Sequence, residues 1–146
     1  MDGRSAVTIR VIIVDDHDAM RRSIARFLAT ATDVEVVAET GSSLEALELC
    51  ASQASDVVLL DVRMREIDGI ELTRRLRKAG CTAGIIGLSM YGRREIRSQM
   101  MDAGANGYVD KMAPPAELLA LVRQCAESAA QRLAQGGAPG AGSPGS

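Results

Sequence analysis

Residues 9–16 read Ile9-Arg10-Val11-Ile12-Ile13-Val14-Asp15-Asp16, a β-branched run that stops at two acids. A strand with one wet face alternates apolar and polar residues. A nearly continuous apolar run of this length suits a strand covered on both faces, as in a parallel sheet. Working outward, the same form recurs in Val57-Val58-Leu59-Leu60, which ends at Asp61, and in Ala83-Gly84-Ile85-Ile86-Gly87-Leu88, which ends at Ser89. Val34-Glu35-Val36-Val37-Ala38 and the short Gly107-Tyr108-Val109, followed by Asp110-Lys111, complete the set.

Between these runs the apolar period changes to that of helices. Met20, Ile24, Phe27, Leu28 and Ala31 are spaced in this way, as are Leu47, Cys50, Ala51 and Ala54 after an N-cap at Ser42 or Ser43, with Glu45 placed for a capping box. Ile67, Ile70, Leu72 and Leu76 run to a stop at Gly80, and Ile96, Met100 and Ala103 to one at Gly104. Leu118, Leu121, Val122 and Cys125 follow Pro114-Pro115, which suits a helix start. The order is a succession of five β-α units. It predicts a parallel three-layer α/β sandwich with right-handed crossovers, its folded domain spanning about residues 7–130. Residues 131–146 lead into Gly-Ala-Pro-Ser low complexity and read as a flexible tail or a truncated linker.

Composition limits the function. The chain has 146 residues, 47% apolar, enough for one domain; with 2% aromatic residues and no Trp the core must be aliphatic. Seventeen basic residues against 19 acidic ones, a net charge of −2, argue against a chain that binds nucleic acid by itself. Cys50, Cys81 and Cys125 have no metal-ligand spacing and read as reduced thiols in core or surface positions. No signal-peptide run and no stretch approaching the ~20 apolar residues of a membrane span is present, so a cytoplasmic protein is expected.

In an open parallel sheet, functional groups collect at the carboxyl ends of the strands. Those ends carry Asp15, Asp16, Asp61, Ser89, Asp110 and Lys111. One Asp after a strand is ordinarily a cap or turn residue; compatible groups at four strand ends are harder to explain in that way. Three converging carboxylates repel unless a cation lies among them, and Mg2+ with its oxygen preference suits them. Lys111 adds a point charge for a phosphoryl oxygen and Ser89 a hydroxyl donor, leaving Asp61 as nucleophile toward phosphorus.

Over about residues 8–127 the chain resembles the receiver domain of two-component response regulators. The resemblance rests on Val14-Asp15-Asp16-His17, Leu60-Asp61-Val62-Arg63-Met64 continuing to Asp68-Gly69, Leu88-Ser89, and Gly104-Ala105-Asn106-Gly107-Tyr108-Val109-Asp110-Lys111. The Asp-Asp-His start and the Pro-Pro-Ala-Glu-Leu-Leu helix start look most like the NarL/FixJ subfamily. The resemblance implies a flavodoxin-like (βα)5 fold with strand order 2-1-3-4-5. It implies that Asp61 accepts a phosphoryl group from a sensor histidine kinase. It further implies that Asp15, Asp16, Asp61 and the Arg63 backbone carbonyl hold Mg2+, that Lys111 and Ser89 contact the phosphoryl group, and that Tyr108 switches in concert with Ser89. The fourth helix, fifth strand and fifth helix would form the output face, toward a homodimer partner or an effector protein.

Five positions depart from the family's habit or tune it. Arg65 stands where Pro is usual, Met90 where a small residue is usual, and Met112 in place of the frequent Pro after the lysine; Arg63 and Tyr91 occupy positions that tune phosphoryl lifetime. His17, the only His, reads as a loop residue near the acidic pocket. Arg21-Arg22-Arg26 and Arg74-Arg75-Arg77 read as solvated helix faces. Gly80, Gly84 and Gly87 run into a strand, so they are not a nucleotide fingerprint. An aspartyl-phosphate phosphatase would carry a second Asp where Arg63 stands. No helix-turn-helix follows, so the reading is a regulator fragment or stand-alone receiver that does not itself bind DNA or membrane. A phosphorylation-independent scaffold with the receiver fold is the alternative.

Overall fold

The computed structural model describes residues 8–90 and 94–136, with the side chains of the last helix described through residue 130. Tyr91 and the residues after Gly136 lie outside the described residues. Strands and helices alternate: β1 (Ile9–Val14), α1 (Asp18–Ala29), β2 (Val34–Thr40), α2 (Ser43–Ser52), β3 (Val57–Asp61), α3 (Gly69–Lys78), β4 (Gly84–Ser89), α4 (Arg94–Ala103), β5 (Gly107–Asp110) and α5 (Pro115–Gly136). The sheet is parallel throughout in the order β2-β1-β3-β4-β5, the expected flavodoxin-like arrangement.

The chain moves from β1 outward to β2, then returns past β1 to β3 and continues to β5. With crossovers of one hand, that reversal of direction moves the connecting helices to the other face. The side chains follow this division with the period of two of a strand. Ile12, Val14, Val58, Leu60 and Ile85 pack with Ala46 of α2, Leu72 and Leu76 of α3 and Met100 of α4. Their neighbours Val11, Ile13, Val57, Leu59, Ile86 and Leu88 pack with Leu28 of α1 and Leu118, Val122 and Cys125 of α5. The two apolar layers therefore account for the apolar runs of the central strands, whose apolar side chains face one core and the other in alternation. β2 extends past the Val34–Ala38 run to Thr40, because Glu39 and Thr40 pair with Ile13 and Val14 on an edge strand; Glu39 is exposed to water, while the buried Thr40 hydroxyl is satisfied by Glu45 and the Ser42 amide.

Local signals set the helix ends. Ser42 caps α2 by accepting from the Glu45 amide at 3.0 Å. The reciprocal arm of the capping box is absent: Glu45 accepts from the Thr40 hydroxyl instead, and that hydroxyl accepts the Ser42 amide at 3.0 Å. Asp68 caps α3 through the Glu71 amide at 2.9 Å. Gly80 and Gly104, at φ +94° and +118°, follow α3 and α4 in the left-handed region that L side chains avoid. α5 passes residue 130 to reach Gly136, since Gln131-Arg132-Leu133-Ala134-Gln135 are good helix formers and the glycine-rich composition begins only after them.

Two arginines correct the solvated-face reading. The Arg21 guanidinium donates to the Asp15 carbonyl (2.7 Å), Asp18 (2.8 Å) and Glu39 (3.3 Å), with its side chain 13% exposed. Arg77 donates to the carbonyls of Gly104 (2.9 Å), Cys81 (2.8 Å) and Ala83 (2.8 Å) and to Asn106 Oδ1 (2.7 Å). Backbone carbonyls at chain reversals need donors, and a five-donor fork on a nearby helix supplies several at once. Arg22, Arg26, Arg74 and Arg75 are exposed as expected. The cysteines are unbridged; Cys50 and Cys81 line one hollow, where burial, and then Cys81 beside it, push the Cys50 thiol up to about 12. No helix among the described residues is long and apolar enough to cross a membrane.

Candidate functional site

The strand register brings the predicted residues to one rim. Val14 is opposite Leu60 in the β1–β3 pair, so Asp15 and Asp61 emerge side by side. Asp61 is opposite Leu88, and Ser89 is opposite Asp110, so the hydroxyl and the lysine-bearing turn follow on the same edge. The β1/β3 junction is where the strand order reverses. There the loops after neighbouring strands diverge and leave a crevice.

Lys111 unites this rim. Its ammonium lies 2.8 Å from Asp15 Oδ2 and 3.3 Å from Asp61 Oδ2, with the side chain only 2% exposed. The turn holding it is fixed by the Lys111 amide, which donates to the Ser89 carbonyl at 2.8 Å, and by the Met112 amide, which donates to Asp110 Oδ1 at 2.7 Å. The second oxygen of each acid is also engaged: Asp15 Oδ1 accepts the His17 amide at 2.9 Å, and Asp61 Oδ1 accepts the Arg63 amide at 3.3 Å. One oxygen from each of Asp15, Asp16 and Asp61 lies within 4.8 Å of the others. Asp15 and Asp61 are buried and Asp16 is partly exposed, so the cluster opens to solvent on the Asp16 side.

Burial, and then the Asp15 carboxylate, push Asp61 up to about 6, against the opposing pull of Lys111 and the Arg63 amide. One lysine does not offset the charge of three carboxylates. This donor set, made of hard oxygens with excess negative charge, fits a hard divalent cation, and the cluster is able to hold a metal ion. The close approach of α3 helps keep Asp61 in place. A Cβ on Gly69 would stand 2.5 Å from the Asp61 carbonyl oxygen, and the Gly69 amide donates to the Val62 carbonyl at 2.7 Å.

The other expected residues are distributed around this centre. Ser89 is buried at the end of β4. Tyr108 is buried in β5 opposite Gly87, in the layer that includes Met100, and borders a groove with Arg97, Met101, Leu121 and Gln124 between α4 and α5. His17 is exposed at the N-cap of α1 and makes no side-chain capping bond. Met90 is 40% exposed beside Ser89, and Met112 is exposed beside Lys111. Sequence reading missed the fastening of the loop after Asp61. The Glu66 carboxylate accepts from Ser42 Oγ (2.8 Å), Ser43 Oγ (3.3 Å) and the Leu44 amide (3.2 Å), which holds it below its ordinary value. Its partners are more than 20 residues away along the chain, and nothing local marks the contact.

A β2-β1-β3-β4-β5 sheet with three carboxylates and a buried lysine at its switch point defines a flavodoxin-like domain with an acidic, cation-accepting rim. The family is more particular: the response regulator receiver domain matches residues 11–123, and the chain belongs to that family. It is the receiver domain of a two-component response regulator. The chain is 36% identical over 115 residues to the response regulator UvrY of Escherichia coli (strain K12), covering 79% of this chain and 53% of that one. To the nitrate/nitrite response regulator protein NarP of the same organism it is 38% identical over 118 residues, covering 81% and 55%. Thus the chain spans about half the length of the curated relatives it matches. Among solved structures, the signal receiver domain of NarL from Mycobacterium tuberculosis superposes with a TM-score of 0.79 at 31% identity, covering 82% of this chain and 97% of that one.

Proposed function

We propose that Asp61 accepts a phosphoryl group from a sensor histidine kinase in a Mg2+-dependent reaction, and that the modified domain changes its protein-binding surface. The observation that carries this reading is the Lys111 ammonium shared by Asp15 and Asp61 at 2.8 and 3.3 Å. An Asp61 carboxylate oxygen forms a bond to phosphorus, and the phosphorus–nitrogen bond of the kinase's phosphohistidine breaks, its electron pair staying with the imidazole. Lys111 donates to a phosphoryl oxygen, and so has a role before and after transfer. Asp15, Asp16, Asp61 and the Arg63 carbonyl would hold the Mg2+, which would supply neutralisation of negative charge at the site. Ser89 then donates to the phosphoryl group, and Tyr108 changes rotamer in the groove between α4 and α5. This biases a two-state surface made by α4, β5 and α5 toward a homodimer partner or an effector protein.

In this reading, residues 7–130 are the functional unit, the reaction is confined to Asp61 itself, and the domain works in the cytoplasm. Intact mass after incubation with Mg2+ and acetyl phosphate tests it. One added phosphoryl group on the wild type, lost in Asp61→Asn and in chelator, is the expected result. No adduct from acetyl phosphate or from a cognate kinase overturns the reading in favour of a phosphorylation-independent scaffold.

A further inference from the structure

Two cations divide the three carboxylates of the rim. Lys111 pairs with Asp15 and Asp61. Asp16 is left to Arg65: the Arg65 amide donates to Asp16 Oδ2 at 3.3 Å, and Arg65 Nε lies 3.7 Å from the same oxygen. The loop that carries Arg65 is fixed on either side of it. Met64 packs against the apolar layer beneath α2 and α3. Glu66 is held at the start of α2, and the Ile67 amide donates to Ser43 Oγ at 3.1 Å. Arg65 therefore stays at the mouth of the cluster, in a hollow that Asp16 and Asp18 share with it. Its side chain is 87% exposed against 22% for Asp16, so the guanidinium is free to leave. Arg21, another arginine near the rim, is committed to the Asp15 carbonyl, Asp18 and Glu39.

We propose that Arg65 is a tethered competitor of the divalent cation. It pairs with Asp16 in the metal-free domain and must be displaced from it on loading, so it raises the metal concentration at which the site fills. This rests on the proposed Mg2+ site and deepens it. Arg65 acts through Asp16 and is a positioning residue, not a group that touches the reacting atoms. A proline at this position would leave Asp16 with neither the amide donor nor the guanidinium.

The test is calorimetric titration of the whole chain with Mg2+, for wild type, Arg65→Gln and Arg65→Lys. An exposed ion pair is worth a few-fold in an equilibrium. Arg65→Gln is expected to bind Mg2+ about three-fold to five-fold tighter at low salt. Arg65→Lys keeps a charge and stays near wild type, and the Gln gain shrinks at about 0.5 M KCl as the charge is screened. In an Asp16→Asn background the gain is expected to vanish. Equal or weaker binding by Arg65→Gln, or a gain that ignores salt, overturns the proposal while leaving the metal site standing. Absence of Mg2+ binding in every variant overturns the metal site itself, and the competitor with it.

Discussion

Asp61 is held in a balance that a single substitution exposes. Its carboxyl stands at about 6 instead of 3.8, because burial and Asp15 outweigh Lys111 and the Arg63 amide. A carboxyl raised in this way is protonated in the folded state at a pH where the unfolded chain has released the proton. Its contribution to stability is full below about pH 4 and is lost as the pH rises through about 6. Metal-free Asp61→Asn should lose that pH dependence. It should also be more stable than wild type at neutral pH by about 1 kcal/mol, the shift being discounted for solvent screening. Urea titrations in chelator at several pH values check this: a mutant curve parallel to wild type across the window would show that Asp61 is not strained. The rim residues were legible one by one, since each ends or follows a strand. Their balance was not, because it depends on distances that sequence spacing does not carry.

At the scale of elements, the strands and most helix ends were legible, and the fastenings between them were not. Apolar runs marked β1, β3 and β4, and Ser42, Gly80 and Gly104 marked helix boundaries, because those signals are local. Arg77 read as one of a solvated run, yet it joins the end of α3 to the turn between α4 and β5 and to the entry of β4. Asn106 extends that brace, its Oδ1 also accepting the Ile85 amide at 2.9 Å. Acceptors that are backbone carbonyls have no residue code, so such a contact leaves no mark in the sequence. Replacing Arg77 with Met keeps the aliphatic stem and removes the donors. The loss should be about 2 kcal/mol in urea denaturation, because several carbonyls at a chain reversal lose their partner together. Arg74→Met, on the exposed face of the same helix, should be nearly silent.

For the whole molecule, the sheet order places β1, β3 and β4 between other strands and beneath helices on both faces, while β2 and β5 are edges. Amides of Val58, Leu59 and Ile86 should therefore exchange with solvent only through global unfolding, and those near the polar end of β2 through smaller openings. Native-state hydrogen exchange with residue resolution checks the order. The aliphatic composition that made this sandwich legible also bears on how the protein is watched. With no Trp and only two Tyr, its near-ultraviolet emission comes from a pair of phenols, Tyr91 and Tyr108. Tyr108 is one of them, and it is buried in β5 beside the groove of α4 and α5. The molecule thus carries an optical reporter of its own on the surface proposed to change, and a Tyr91→Phe background would isolate that single signal without any added dye.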